Sequence, residues 1–223
     1  MLRPVFILVL MLATVQWCDP VAAGADNRHA VSVPAVSVST ISGKQTGRVH
    51  YILVQVDQDP GGQELKIQFN EVSLGGGSLV GTEWKEGVRL AVDAARRALD
   101  DDGHTWIVTI KNRSYNSMTE GRSASAAVAV AIMSARRGET LRGDTLITGA
   151  VSSDGAIGPV GNLPAKLEGA AQARMHMLLV PEGQAQTDDW DLYQQGRLMN
   201  VKVIEVRTLA EAYEWMTKGK EGR

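Results

Sequence analysis

The chain has 223 residues, of which 44% are hydrophobic and 22% are charged, with a formal net charge of -2 and a pI of about 6.1. This composition is typical of a globular protein, and the length suits one catalytic domain with a small appendage. Lysine and arginine are spread along the chain, so no concentrated positive field favours binding to a phosphate backbone. We therefore expect no nucleic-acid partner.

The first 23 residues have the features of a secretory signal peptide. Arg3 precedes an apolar run at 5–17 that is short for a bilayer span, and small residues follow it. This pattern predicts cleavage after Ala23 or Ala25 and export of the mature protein to the periplasm or the extracellular space. An uncleaved membrane anchor and a lipid attached to Cys18 are the alternatives.

The segment after the signal peptide, residues 24–47, is rich in small residues and predicts a loose leader with one edge strand at 31–38. The folded domain is then expected to occupy residues 48–223. Its first two apolar segments, 49–56 and 65–69, flank an Asp-Pro-Gly-Gly sequence. Because proline and glycine supply the backbone angles of a chain reversal, these segments predict a hairpin.

Two helices are predicted in the middle of the chain. In residues 82–99 the apolar side chains recur at spacings of three and four, which is typical of an amphipathic helix. Residues 123–137 are mostly helix formers and end in two arginines followed by Gly138, a C-terminal pattern. Between the two helices, residues 105–110 alternate as a strand.

The last third of the chain continues this alternation of strands and helices. Residues 145–148 predict a strand that leads into a turn at 152–155, from which residues 156–160 return as a hairpin. Asn162 and Pro164 predict the start of a helix. The remaining predicted elements are strands at 177–180 and 201–206, a weak helix at 188–195 and a capping box at 208–211 that opens the last helix. Together these elements predict an α+β fold with a mixed sheet.

Metal and nucleotide sites find little support in the sequence. The four histidines, His29, His50, His104 and His176, lack the close spacing that places two metal ligands on one helical face. No Gly-x-x-x-x-Gly-Lys-Ser/Thr sequence occurs, so we expect no ATPase module. The only cysteine lies in the predicted signal peptide, so the candidate nucleophiles are hydroxyl groups.

Ser123 is the leading candidate, because the amides and the dipole at a helix start favour developing negative charge. A histidine, His104 with a neighbouring aspartate or else His50, is one candidate base, and residues 121–125 half resemble the Gly-x-Ser-x-Gly elbow. Lys166 is the other, since its apolar neighbours favour a neutral amine. A serine that only caps the helix is the third interpretation.

The residues around Ser123 and Lys166 resemble those of a known family. Glu-Gly-Arg-Ser-Ala-Ser at 120–125 resembles the Asp-Gly-Pro-Ser-Ala-Gly signature of the Lon protease proteolytic domain. Gly-Asn-Leu-Pro-Ala-Lys-Leu at 161–167 resembles its Gly-Gly-Leu-Lys-Glu-Lys-Leu. Residues 141–150 look like the family's stretch ending in Thr-Gly-Glu, and residues 177–182 look like its strand with Pro-Glu. The similarity extends from about residue 49 to about residue 206.

This resemblance implies an α+β, Lon proteolytic-domain-like fold with a mixed sheet, hairpins and packed helices. It also implies a serine endopeptidase in which Ser123 is the nucleophile and Lys166 is the general base. Thr148 would hydrogen-bond the lysine amine, and Glu120 would shape the entrance to the site. No metal and no cofactor are expected, the partner is an unfolded or flexible polypeptide substrate, and a homo-oligomeric ring and a monomer are both compatible with the family.

Glu120 stands where the family usually has aspartate, Arg122 replaces a proline, Ser125 replaces a glycine and Ala150 replaces an acidic residue. An arginine beside the nucleophile favours acidic substrate residues if it faces the site, whereas an arginine directed into solvent, the commoner arrangement, does not. With no ATPase module in the sequence, the expected activity is an exported, ATP-independent peptidase. The alternative is a catalytically silent Lon-like binding or assembly module of the cell envelope.

Overall fold

The computed structural model describes residues 29–70, 79–114 and 118–217. The signal peptide predicted for residues 1–23 lies outside these ranges. Within them, none of the helices has the length and the apolar composition needed to cross a membrane.

The described residues form eleven strands and five helices that interleave along the chain. In chain order the elements are β1 (His29–Ile41), β2 (Lys44–Gln58), β3 (Lys66–Phe69), β4 (Leu79–Val80), α1 (Thr82–Ala98), β5 (Trp106–Arg113), β6 (Met118–Thr119), α2 (Ser125–Arg137), β7 (Thr145–Ile147), β8 (Ala150–Val151), β9 (Ile157–Gly158), α3 (Leu163–Gln172), β10 (Met177–Pro181), α4 (Leu192–Met199), β11 (Lys202–Val206) and α5 (Leu209–Thr217).

The largest sheet has four strands in the order β1-β2-β5-β3. β1 and β2 are antiparallel along their whole length, from the pair His29 and Val56 to the pair Ile41 and Lys44. The edge strand predicted at 31–38 is confirmed and is longer than expected. The leader boundary predicted at residue 47 falls inside β2, so most of the described leader is ordered strand rather than a loose segment.

The hairpin predicted from 49–56 and 65–69 is wrong. The chain does reverse after β2, where Gly62 N–H donates to Asp59 O over 2.8 Å. However, β5 lies between β2 and β3, antiparallel to β2 and parallel to β3. Turn residues indicate that a chain reverses but not which strand becomes the neighbour, and β5 takes the central position because its alternate residues are buried in the core.

A second sheet of three parallel strands has the order β11-β10-β7, and β8 and β9 form a small antiparallel hairpin. The turn predicted at 152–155 is confirmed, with Gly155 at a φ of 87°. The returning strand β9 pairs with β8, whereas β7 pairs with the buried strand β10. Parallel and antiparallel pairs coexist with five helices, so the predicted α+β fold with a mixed sheet is confirmed.

The central helix α2 is buried along residues 125–135 and packs against α1, α5 and the β1–β2 hairpin. It ends at Gly138, which has the left-handed conformation that the sequence predicts. Its start differs from the prediction: Ala124 is the N-cap residue and no side chain caps it. Ser123 therefore precedes the helix, and the interpretation of Ser123 as an N-cap is wrong.

The predicted start of α3 is confirmed in position, whereas the start of α4 needs correction. Asn162 is the N-cap residue of α3, but it has a φ of 60° and its side chain makes no capping hydrogen bond. α4 begins at Leu192, later than the weak helix predicted from residue 188, because Asp191 accepts a hydrogen bond from Gln194 N–H over 2.8 Å and acts as its N-cap.

A backbone contact between α3 and β2 fixes the position of α3. A Cβ on Gly169 of α3 would lie 2.7 Å from the carbonyl carbon of Gly47 in β2. A Cβ on Gly47 would lie 2.0 Å from the carbonyl oxygen of Ala165. Only glycine fits at either position, so the helix and the strand approach more closely than any side chain allows.

We expect Gly169→Ala to lower the free energy of unfolding by about 1–3 kcal/mol, because the new methyl group pushes α3 away from β2. This loss should appear even though alanine forms helices better than glycine by about 1 kcal/mol. Urea unfolding followed by circular dichroism measures the effect. Gly143→Ala is the control, since a Cβ there meets open space, and equal stability of the two variants would contradict the expectation.

Candidate active site

A cleft of about 470 Å³ brings together residues from distant parts of the chain. Ser123, just before α2, and Lys166, in the first turns of α3, both line it. One wall comes from β1 at residues 36–38, and Trp84 of α1 contributes to another. The two residues that the family resemblance singles out therefore face the same space.

The backbone of Ser123 is held by the segment that follows β7. The Ser123 carbonyl oxygen accepts a hydrogen bond from Gly149 N–H over 2.8 Å and another from Thr148 Oγ1 over 3.2 Å. A Cβ on Gly149 would lie 2.4 Å from Cγ2 of Ile157, so this approach requires glycine. Ser123 itself is partly exposed, which leaves it accessible from the cleft.

Ser125, which replaces the family's glycine, is buried beneath Ser123 and ties α2 to β8. Its Oγ accepts a hydrogen bond from Val151 N–H over 2.8 Å and donates one to Gly149 O over 3.4 Å. The bond to Gly149 O adds to the one that this oxygen accepts from Ala126 N–H over 3.2 Å. The departure from the family pattern thus adds contacts close to Ser123 that no local pattern predicts.

The amine of Lys166 is buried, and the residue is only 3% exposed. Its Nζ donates a hydrogen bond to Thr148 Oγ1 over 3.0 Å. Because the Thr148 hydroxyl hydrogen points to the Ser123 carbonyl, its oxygen is free to accept from the lysine. Burial lowers the pKa of Lys166 to about 8, since the apolar surroundings disfavour the charged form. Thr148 thus links Lys166 to the backbone of Ser123.

Glu120 lies at the cleft and is exposed. Its carboxylate accepts a hydrogen bond from Glu83 N–H over 2.9 Å, in the first turn of α1. Gly81, the N-cap residue of α1, leaves the room that this carboxylate occupies. A negative charge at a helix N-terminus is favourable, so Glu120 caps α1 from a distance in sequence.

The histidines are divided between the cleft and the surface. His104 pairs with Asp102 at an exposed turn and is not among the residues that line the cleft. His50 lines the cleft and is 3% exposed, and burial lowers its pKa to about 4, against weaker opposing interactions with the Arg48 backbone and the Asn112 side chain. Such an imidazole is neutral at physiological pH and is a weaker base than Lys166. The structure does not bring His104 and Ser123 together.

In the described part of the chain, no group of three or more His, Cys, Asp or Glu side chains is arranged to hold a metal ion.

Sequence reasoning missed the contribution of β1 to the cleft. Residues 24–47 were expected to lie outside the folded domain, yet residues 36–38 of β1 line the cleft beside Ser123. The alternation of valines at 31, 33, 36 and 38 was the available signal, but it identified a strand without showing its neighbours. Trp84 was also missed, because it lies in a regular helix with no motif around it.

Residues 108–215 match the family model of the Lon protease (S16) C-terminal proteolytic domain. Over 95 residues the chain is 32% identical to the Archaeal Lon protease of Archaeoglobus fulgidus. This alignment covers 43% of the present chain and 15% of that relative, so the similarity concerns a small part of a longer protein. Residues 108–215, which match the family model, include Ser123, Thr148 and Lys166.

The buried amine predicts a pH-dependent effect of Lys166→Met on stability. The folded-state pKa, about 8, lies below the unfolded value of 10.5, so the unfolded chain binds more protons between these values. Folding is therefore penalised most at pH 8 and below, and the penalty shrinks as the pH rises to 10.5. We expect Lys166→Met to raise the free energy of unfolding by roughly 1–3 kcal/mol at pH 7 and to lose this gain above pH 10.

Urea unfolding of wild type and Lys166→Met between pH 6 and pH 10.5 measures this difference. Lys44→Met is the control, since the Lys44 side chain is 77% exposed and its removal relieves no burial. A stability difference between wild type and Lys166→Met that does not change with pH would contradict the expectation.

Proposed function

Because residues 108–215 belong to the Lon protease proteolytic domain family, we propose that this chain is a serine endopeptidase of the Lon type. The observation that carries the proposal is the convergence of Ser123 and Lys166 on one cleft, linked through Thr148. A buried lysine with a lowered pKa that lines the same cleft as a partly exposed serine is suited to nucleophilic catalysis without histidine. We assign Ser123 as the nucleophile and Lys166 as the general base.

In the proposed mechanism the neutral amine of Lys166 takes the proton of the Ser123 hydroxyl. The alkoxide forms a bond to the substrate carbonyl carbon, and backbone amides near the start of α2 stabilise the oxyanion. Collapse of this intermediate breaks the C–N bond, and the Lys166 ammonium gives its proton to the leaving amine. Water then attacks the ester, with Lys166 taking a water proton and returning it to Ser123.

The lowered pKa of Lys166 supports its role as the base. With a pKa of about 8, about a tenth of the molecules carry the neutral amine at pH 7, whereas a solvated lysine is almost wholly protonated. The hydrogen bond to Thr148 holds the amine in one orientation. Thr148 is thus proposed as a positioning residue, and Glu120 as a residue that fixes α1 at the rim of the cleft.

We propose unfolded or flexible polypeptide as the substrate and hydrolysis without ATP. The cleft is lined largely by loop and edge-strand residues and suits an extended chain. The ring assembly that the family resemblance implies stays a prediction.

Degradation of casein in the absence of ATP tests this function. We expect the purified protein to cleave casein, and Ser123→Ala and Lys166→Ala each to reduce the rate at least a hundredfold. The wild-type rate should rise about tenfold from pH 7 to pH 9 as Lys166, with a pKa of about 8, deprotonates. His104→Ala is the control and should keep the wild-type rate, because His104 does not line the cleft.

Two results would overturn the assignment of residues. Loss of activity in His104→Ala with activity kept in Lys166→Ala would favour a histidine base. Failure of a folded wild-type protein to cleave casein or short peptides at any pH would favour the catalytically silent binding or assembly module.

We also propose that the protein is exported, on the basis of the pattern in residues 1–23. Expression of the full chain followed by N-terminal sequencing of the secreted product should give a start at Gly24 or Asp26. An intact N-terminus in the membrane fraction would instead support the uncleaved anchor.

A further inference from the structure

Arg122 immediately precedes Ser123 and lines the same cleft. The beginning of its side chain packs against α1, where a Cβ on Gly87 would lie 3.2 Å from the Cα, Cβ and Cγ of Arg122. The side chain as a whole is 50% exposed. Its base is therefore held by the fold while its guanidinium reaches solvent at the cleft, where a substrate would pass.

The guanidinium of Arg122 is not committed to a strong partner within the described residues. Its Nη1 lies 3.8 Å from Oε1 of Glu86, whose side chain is 56% exposed. Exposed pairs at this distance contribute about 0–1 kcal/mol and exchange readily with other ligands. Arg122 thus retains N–H donors for a ligand that enters the cleft.

None of the other described ionisable groups that line the cleft offers an exposed positive charge to a ligand. Lys166 is buried and acts in the proposed mechanism through its neutral form. His50 is buried and neutral at physiological pH, and the Glu120 carboxylate is engaged with the backbone of α1. Among the described residues that line the cleft, Arg122 is the only cationic residue with an exposed side chain.

We propose that Arg122 recognises a carboxylate of the substrate, so that the enzyme prefers an aspartate or glutamate close to the scissile bond. This inference rests on the endopeptidase function proposed above. The planar guanidinium offers two parallel N–H donors that match the two oxygens of a carboxylate, which neither an amide nor an ammonium group reproduces. The adjacency of Arg122 to Ser123 places this recognition within one or two residues of the bond that is cut.

The test uses three fluorogenic peptides built on a casein cleavage site and identical except for Glu, Gln or Lys at the variable position. For wild type we expect kcat/KM to be about tenfold higher for the Glu peptide than for the Gln peptide. In Arg122→Gln this ratio should fall to about one, and in Arg122→Glu the Lys peptide should become the best substrate. Added NaCl should reduce the wild-type ratio, since salt screens an exposed charge.

Arg89→Gln is the matched control, because Arg89 is an exposed arginine of α1 that does not line the cleft. We expect this variant to keep both the rate and the Glu-to-Gln ratio of wild type. A similar fall of the ratio in Arg89→Gln would mean that the overall charge of the surface, and not Arg122, sets the preference.

Binding of the same peptides to Ser123→Ala, followed by fluorescence anisotropy, separates this inference from the peptidase function. We expect Ser123→Ala to bind the Glu peptide more tightly than the Gln peptide. If this difference in affinity disappears when Arg122→Gln is added to Ser123→Ala, recognition of a carboxylate by Arg122 is supported even if no peptide is cleaved. Cleavage of the Glu and Gln peptides at equal kcat/KM would overturn the role of Arg122 and leave the peptidase function standing. Equal affinity for the two peptides in a protein that cleaves neither would overturn both.

Discussion

Burial of the Lys166 amine is the constraint around which this part of the fold is organised. An ammonium group taken out of water is costly, and here burial alone accounts for the lowered pKa of the lysine. Leu163 and Leu167 on the same helix are fully buried and contribute the apolar packing that offsets this cost. Thr148 supplies the hydrogen bond that the buried nitrogen needs. Burial of this residue thus lowers the stability of the fold and leaves its amine partly neutral near physiological pH.

Glycines at the points of closest approach make this geometry attainable. Gly47 and Gly169 bring the backbones of β2 and α3 together, which fixes the helix that carries Lys166. Gly149 lets the segment after β7 donate a hydrogen bond to the carbonyl of Ser123. Backbone contacts of this kind are stiffer than contacts between long side chains, because they involve no rotatable side-chain bonds. Ser123 and Lys166 are therefore held in place from two independent directions.

Local patterns predicted the elements well and their neighbours poorly. The spacing of apolar residues located α1, and Gly138 correctly marked the end of α2. The predicted pairing of β3 with β2 was wrong. β3 pairs with β5, and this pairing depends on the burial of a strand that lies about forty positions later in the chain. The contact of Thr148 with Lys166 was implied by family resemblance alone. Glu120 as a cap of α1 was not predictable, since nothing in its own neighbourhood encodes a distant helix start.

The departures from the family pattern fall where they alter the cleft without disturbing the lysine. Ser125 stands where the family pattern has glycine, and its hydroxyl group makes hydrogen bonds that connect α2 to β8. Arg122 adds a positive charge to the lining where the family pattern has proline, and Ala150, which also lines the cleft, stands where it has an acidic residue. Both of these charge changes make the cleft more positive, so they reinforce each other electrostatically. Under the function proposed above, Ser123 and Lys166 would then act on a different set of sequences, with selectivity altered by the charge of the cleft.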